Sequence, residues 1–345
     1  MSEETEVAPA APAAADPAPP PRGGARRPRM PQLARTILSR FGVIFAFVIV
    51  VVVFSIARPS TFPTLTNAKE ILANAAPQMI VALGLTVVLV MQDFDLSVGS
   101  MASLAGGAAV AEMAVHGMSW ELALALAAGL GIAAGVAKGY LIAVLRGNSF
   151  IMTLAMGTIL TGVEYAFTND VTIFQSVPHA FVSIASNSIL GLNNEVWFAL
   201  AVAIVLWVLL DATEAGRFMY AIGGNQEAAR LSGIRVRTLR IFGFVVVSLT
   251  AALVGVLITS DGSGNYTPSF GTYLLLPAYA GAFLGAACFR PGEFNIPGTV
   301  VGVALLATIS TGLTFLNLQA YLINLVQGAI LIVAVLVSTV ASNTA

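Results

Sequence analysis

From Phe41 to Ala57 the chain carries no charged residue, and nine further stretches are nearly as apolar. A run of about twenty apolar residues is long enough to cross a bilayer as a helix. In hydrocarbon every backbone N–H and C=O needs an internal partner, which leaves only helices and closed barrels. These runs are continuous rather than alternating, so they predict an all-α, polytopic membrane protein of about ten transmembrane helices. The spans are expected near 41–57, 71–91, 96–115, 120–145, 150–168, 195–211, 239–259, 272–289, 296–316 and 320–340. The second contains Asn74, Pro77 and Gln78, a combination that predicts a broken rather than straight helix. Charged residues make up 10% of the 345-residue chain, against about 25% in an average soluble domain.

Two regions follow: a tail over 1–40 and a transmembrane domain over 41–341. Half of the sixteen prolines fall at or before Pro31, among alanines and arginines. Such a segment buries too little apolar surface to offset its ordering entropy, so a disordered cytoplasmic tail is expected. It opens acidic and lacks a central apolar run, unlike a secretory signal. Ten spans put both termini on one side, and the basic residues say which. With the N-terminus cytoplasmic, the inner segments collect Arg22, Arg26, Arg27, Arg29, Arg35 and Arg40, then Arg146, five arginines within 217–240, and Arg290. The outer loops keep only Arg58 and Lys69. Glu112, Glu121 and Glu164 map near outer ends of spans, while Asp93, Asp95 and Asp211 map near inner ends. Lys138 is expected to snorkel to the inner surface. No ionisable group maps near a midplane, which argues against ion coupling and against a strongly charged substrate.

Several chemistries are missing. The two lysines follow Ala68 and Ala137, so no Gly-Lys-Ser/Thr phosphate loop exists and ATP is not bound by this chain. Cys288 stands alone, His116 and His179 lie far apart, and no hydrolase or metalloprotease motif occurs. No catalytic residue, metal site or resident cofactor is expected. A net charge of −1 gives no bulk field to attract nucleic acid. Small residues instead recur every fourth position, at Ala127, Gly131, Gly135 and Gly139, at Gly281/Gly285 and at Gly298/Gly302. That spacing lets membrane helices approach closely.

One polar island interrupts the later spans: GRFMYAIGGNQEAARLSGIRVRTLR, residues 216–240, on the cytoplasmic side by the charge count. Its core reads as a short capped helix. Asn225 suits the N-cap, Glu227 suits the positive end of the helix dipole, and Gly233 suits a left-handed closing residue. Two turns are marginal alone, so the bundle, the lipid surface or a partner must hold them. Ala228, Ala229 and Leu231 form too small an apolar face for lipid. A groove on another protein fits better.

The island resembles the coupling loop of ribose/xylose/galactose-type ABC importer permeases. The matching residues are Gly216-Arg217, Ala221 to Asn225 and Glu227 to Ile234, within a loop of about 213–238. Asp95-Leu96-Ser97-Val98-Gly99 resembles the family's D-L-S-V-G signature. Asn148 to Leu154 is similar to its N-P-F-I-x-T-L motif, with Ser149 replacing proline. Gln92-Asp93-Phe94 departs from the glycines and aliphatic residue usual before the signature, and LGAACFRPGEFNIPGTVVG lacks a usual double glycine.

The resemblance implies the membrane subunit of a binding-protein-dependent importer of a monosaccharide or polyol in a bacterial inner membrane. It implies a cytoplasmic ATPase subunit carrying ATP and Mg, a periplasmic substrate-binding protein, and a second permease copy or paralogue. The ATPase would dock on Gly224, Asn225, Glu227, Ala228, Ala229, Arg230, Leu231 and Gly233. Nucleosides stay open as substrates. An ion-coupled carrier or passive channel is the competing class, and it predicts uptake by the chain alone. Asp95, assisted by Ser97, is expected to cap the third span. Asn74, Gln78, Asn324 and Gln327 are expected to offer hydrogen bonds along a substrate pathway.

Overall fold

The computed structural model describes residues 32–174, 177–261 and 264–344. Helices α1 (Gln32–Ala57), α2 (Leu65–Leu89), α3 (Val98–His116), α4 (Trp120–Ala143) and α5 (Ser149–Thr168) come first. A short helix α6 (His179–Ser186) and a two-residue hairpin, β1 (Ser188–Ile189) with β2 (Leu192–Asn193), lead to α7 (Asn194–Trp207). Helix α7 runs on through a π-helical turn at Val208–Ala212. Helices α8 (Glu214–Gly224) and α9 (Gln226–Leu231) occupy the polar island, followed by α10 (Val236–Ser260). A 3₁₀ turn at Phe270–Leu274 feeds α11 (Leu275–Ala286), and α12 (Ile296–Phe315) and α13 (Ala320–Thr344) complete the chain.

Every expected span coincides with a helix. Seven are long and apolar enough to cross a membrane, and Phe41–Ala57, Phe270–Ala286 and Tyr321–Val333 are shorter apolar helices. Apolar side chains face outward over much of α7, where Ile204 and Val205 are exposed. That is the pattern of a helix solvated by lipid rather than water.

Two expectations change. Helix α1 starts at Gln32, inside the segment expected as tail. No proline occurs between Pro31 and Pro59, and the residues after Pro31 favour helix. The rest of that tail, residues 1–31, lies outside the described residues. The second span is not broken: α2 is continuous through Pro77. The missing proline N–H frees one carbonyl, that of Ala73. Packing of α2 against α7, α10, α11 and α12 carries the helix through the defect. Its start is set at Thr64, whose Oγ1 accepts from the Asn67 N–H at 3.2 Å.

Helices α2, α3 and α10 form the buried centre, with α4 and α5 beside α3 and with α11 and α12 beside α2. Small residues set the spacing. A Cβ on Gly285 would lie 2.4 Å from the Gly298 backbone, and one on Gly302 would lie 2.2 Å from the Gly281 carbonyl oxygen. The two predicted glycine pairs therefore face each other across the α11–α12 contact. Gly135 likewise admits Val245 of α10, whose Cα would be 2.5 Å from a Cβ there.

Candidate functional site

The α2–α3 turn carries the predicted signature and is held by two ion pairs. Arg240 of α10 donates to Asp93 from Nε (2.7 Å, to Oδ2) and from Nη2 (2.6 Å, to Oδ1). Lys138 of α4 donates from Nζ to Asp95 Oδ2 at 2.5 Å and to Ser97 Oγ at 2.8 Å. The other Asp95 oxygen accepts the Ser97 N–H at 2.9 Å and the Ser97 hydroxyl at 2.6 Å. Its backbone N–H goes to the Tyr279 hydroxyl at 2.9 Å.

Lys138 therefore does not snorkel. Its side chain is 0% exposed, like that of Asp95, because an opposite charge lies closer than water does. Asp95 does not cap α3: the N-cap is Ser97, whose side chain makes no cap bond, and the Asp95 carboxylate accepts from Ser97 and neutralises Lys138 instead. Neither pair was legible locally, since the partners are 43 and 147 residues apart.

The third motif closes on the same turn. Asn148 caps α5, with its Oδ1 accepting the Ile151 N–H at 3.1 Å. Ser149 Oγ accepts the Phe94 N–H at 3.2 Å, and Thr153 Oγ1 accepts the Leu96 N–H at 3.0 Å. Gly99 permits contact with the 3₁₀ turn, because a Cβ there would lie 2.7 Å from the Gly271 carbonyl oxygen. The Gly271 N–H donates to Ser103 Oγ at 2.7 Å.

The polar island lies against this cluster. Helix α9 is built as its residues predict: Asn225 Oδ1 accepts the Ala228 N–H at 2.9 Å, and Gly233 closes it at φ +83°. Ala229 is buried, whereas Leu231 is 79% exposed. Glu227 and Arg230 form an exposed pair one turn apart. The preceding α8 was not foreseen as a helix. Thr213 caps it, and Gly223 lets it abut the end of α2, since a Cβ there would lie 1.9 Å from the Val90 carbonyl oxygen. Tyr220 anchors α8 further by donating to the Phe294 carbonyl at 2.9 Å. Burial, with the Asp211 carboxylate next in effect, pushes this phenol up to about 12, so it stays a donor at neutral pH. Arg290 joins the same corner through Asp211 at 2.6 Å.

The expected pathway residues come together around Gln327. Asn74, Gln78 and Gln327 line a cleft of about 430 Å³ between α2, α12 and α13. Asn324 and Gln327 line a neighbouring cleft of about 330 Å³ beside α11. The Gln327 amide nitrogen donates to Ser310 Oγ at 2.7 Å, tying α13 to α12. Glu70, Ser310, Thr311 and Thr314 also line the larger cleft and were missed. Their signal was present: polar residues three or four apart on otherwise apolar helices.

The profile of the family described as "Branched-chain amino acid transport system / permease component" matches residues 67–335. The ribose import permease protein RbsC of Escherichia coli (strain K12) is 32% identical over 297 residues, covering 85% of this chain and 92% of that protein. RbsC of Bacillus subtilis (strain 168) is 32% identical over 302 residues, covering 87% and 92%. The D-allose transport system permease protein AlsC of E. coli (strain K12) is 30% identical over 297 residues, covering 86% and 90%. The chain, a multi-pass membrane protein, belongs to this family of ABC-importer permeases.

Proposed function

We propose that this chain translocates a monosaccharide or related polyol across a bacterial inner membrane, powered by a separate ATPase subunit. Ten crossings with both termini cytoplasmic put α8 and α9 on the ATPase side, in keeping with the positive-inside count. ATP and Mg belong to the partner, and a periplasmic binding protein delivers the solute. Two copies, or this chain with a similar permease, enclose the path, and lipid covers the remaining apolar faces.

The observation that carries this reading is α9. It is a capped helix of two turns whose exposed edge has no partner among the described residues, and α8, directly before it, abuts the end of α2 through Gly223. A helix so short needs docking to stay formed. Docked on an ATPase subunit, α8 and α9 move with it and displace the α2–α3 turn through Gly223 and Arg240. The three relatives named above are sugar permeases by name, which favours a sugar over an amino acid.

The test is reconstitution in vesicles with the cognate ATPase and binding protein. Ala228→Pro with Ala229→Pro removes the Asn225 cap bond and the following helical N–H. This variant is expected to reach the membrane and to lose ATP-dependent uptake. Normal uptake would overturn docking at α9, and uptake by the chain alone along an ion gradient would favour a carrier.

A further inference from the structure

We propose that the cleft between α2, α12 and α13 is a binding site for a neutral polyhydroxylated solute on its way through the membrane. The inference rests on the importer reading and adds to it a site and a recognition chemistry. Asn67, Glu70, Asn74 and Gln78 all line the cleft. At 3.6 residues per turn they share one face of α2, within an arc of about 80°. Glu70 and Asn74 are exposed on a helix long and apolar enough to cross a membrane. Glu70 stands at the outer edge of the expected span, and an amide at Asn74 facing hydrocarbon would be left without hydrogen-bond partners, so this face borders water or a polar ligand.

Opposite the stripe, α12 offers Ser310, Thr311 and Thr314, and α13 offers Gln327. Hydroxyls and amides both donate and accept, which matches hydroxyl groups on a solute. Asn67 adds unspent capacity. It is 5% exposed, its amide nitrogen donates to the Phe62 carbonyl at 2.7 Å, and its Oδ1 accepts nothing among the described residues. Phe315 supplies one apolar wall. The cleft lies within the roughly 300–1,000 Å³ range of small-molecule sites.

Charge narrows the solute. Among the described residues no cation lines the cleft, and Glu70 is the one ionisable group lining it. Lys69, the sequence neighbour, instead lies by Gly191, at the hairpin before α7. A free amino acid would bring an ammonium that Glu70 could meet but also a carboxylate for which no cation lines the cleft. A sugar or polyol brings only hydroxyls, and Glu70 can accept from two vicinal ones at once.

Two measurements test this in vesicles holding the permease, its ATPase and its binding protein. Cys288 is buried, so introduced cysteines are read against a silent background. Asn74→Cys and Ser310→Cys are expected to react with a water-soluble maleimide, and lipid-facing Val205→Cys is not. Failure of both to react, in protein that transports, would overturn the cleft as a path while leaving the importer reading intact. The second measurement is solute moved per ATP hydrolysed, with ribose, galactose, ribitol and leucine as probes. Glu70→Gln and Asn74→Leu should lower this ratio for the hydroxylated probes by about tenfold. A misfolded bundle would lower transport and hydrolysis together without changing the ratio. Unchanged ratios in both variants, or leucine as the preferred probe, would overturn the proposed recognition. If the unmutated assembly shows no ATP-dependent uptake, the importer reading falls and takes this inference with it.

Discussion

Replacing Lys138 by Met tests whether the buried pair is an interaction or a coincidence of position. In the folded chain both side chains are fully buried, and Lys138 contributes two of the four hydrogen bonds made within the Asp95–Ser97–Lys138 cluster. Lys138→Met keeps most of the aliphatic volume but leaves Asp95 with a charge answered only by the Ser97 N–H and hydroxyl. Stranding one partner of a buried pair costs about 3–5 kcal/mol, and Asp95→Asn should cost a similar amount by stranding the ammonium. The double variant removes both charges, and replacing a buried pair outright is often close to neutral. It should therefore be more stable than either single variant, with a coupling energy on the order of 3 kcal/mol. The assay is reversible unfolding of the purified permease, followed by an intrinsic tryptophan signal across the four proteins of the cycle. If Lys138→Met is neutral, the lysine reaches the inner surface and the buried pair is refuted. If the two single costs simply add, the residues are buried independently and the reasoning fails.

Two further perturbations address the neighbouring contacts. Arg240→Lys keeps the charge but loses the two-pronged contact with Asp93. It should cost about 1–2 kcal/mol in the same unfolding assay and lower coupled uptake; an unchanged uptake would show that this pair does not transmit motion. Gly223→Val places a side chain where the Val90 carbonyl already lies, so α8 should lift from α2. Faster proteolysis of residues 213–238 with the membrane bundle intact is expected, and unaltered protection would refute the packing.

What could be read from sequence was what depends on neighbours along the chain. The apolar runs became helices because hydrocarbon leaves the backbone no other partner. The cap of α9 was legible because Asn225 and Gly233 act within one turn of themselves. The glycine pairs were legible as close-packing sites, though not which helices they face. Contacts between distant segments were invisible. Lys138 near a helix end could snorkel or pair, and the choice was made by Asp95, 43 residues away. Pro77 suggested a break that the surrounding helices prevent. Helix α8 was hidden by Gly216, Gly223 and Gly224, whose low helix propensity is outweighed by the close approach two of them allow, Gly216 to the Leu210 carbonyl and Gly223 to the Val90 carbonyl.

The departures from the resembled motifs support a mechanical role for this corner. Gln92 adopts φ +61°, a conformation that glycine takes freely and glutamine does not, where the resemblance expects a glycine. The next residue, Asp93, brings a charge that Arg240 meets, and Ser149, standing for a proline, uses its hydroxyl to bond Phe94. Asp93 and Phe94 in the turn are thus each answered by a contact from another helix. These contacts are placed to carry force. Gly223 at the end of α8 touches Val90, and Arg240 in the second turn of α10 holds Asp93, so the segments on either side of α9 grip the chain on either side of Gln92. A displacement of α9 by a docked partner has little slack to absorb it before the turn moves, and α2 and α3 begin or end at that turn. Since α2 also carries Glu70, Asn74 and Gln78, one rigid helix joins the gripped turn to the polar cleft.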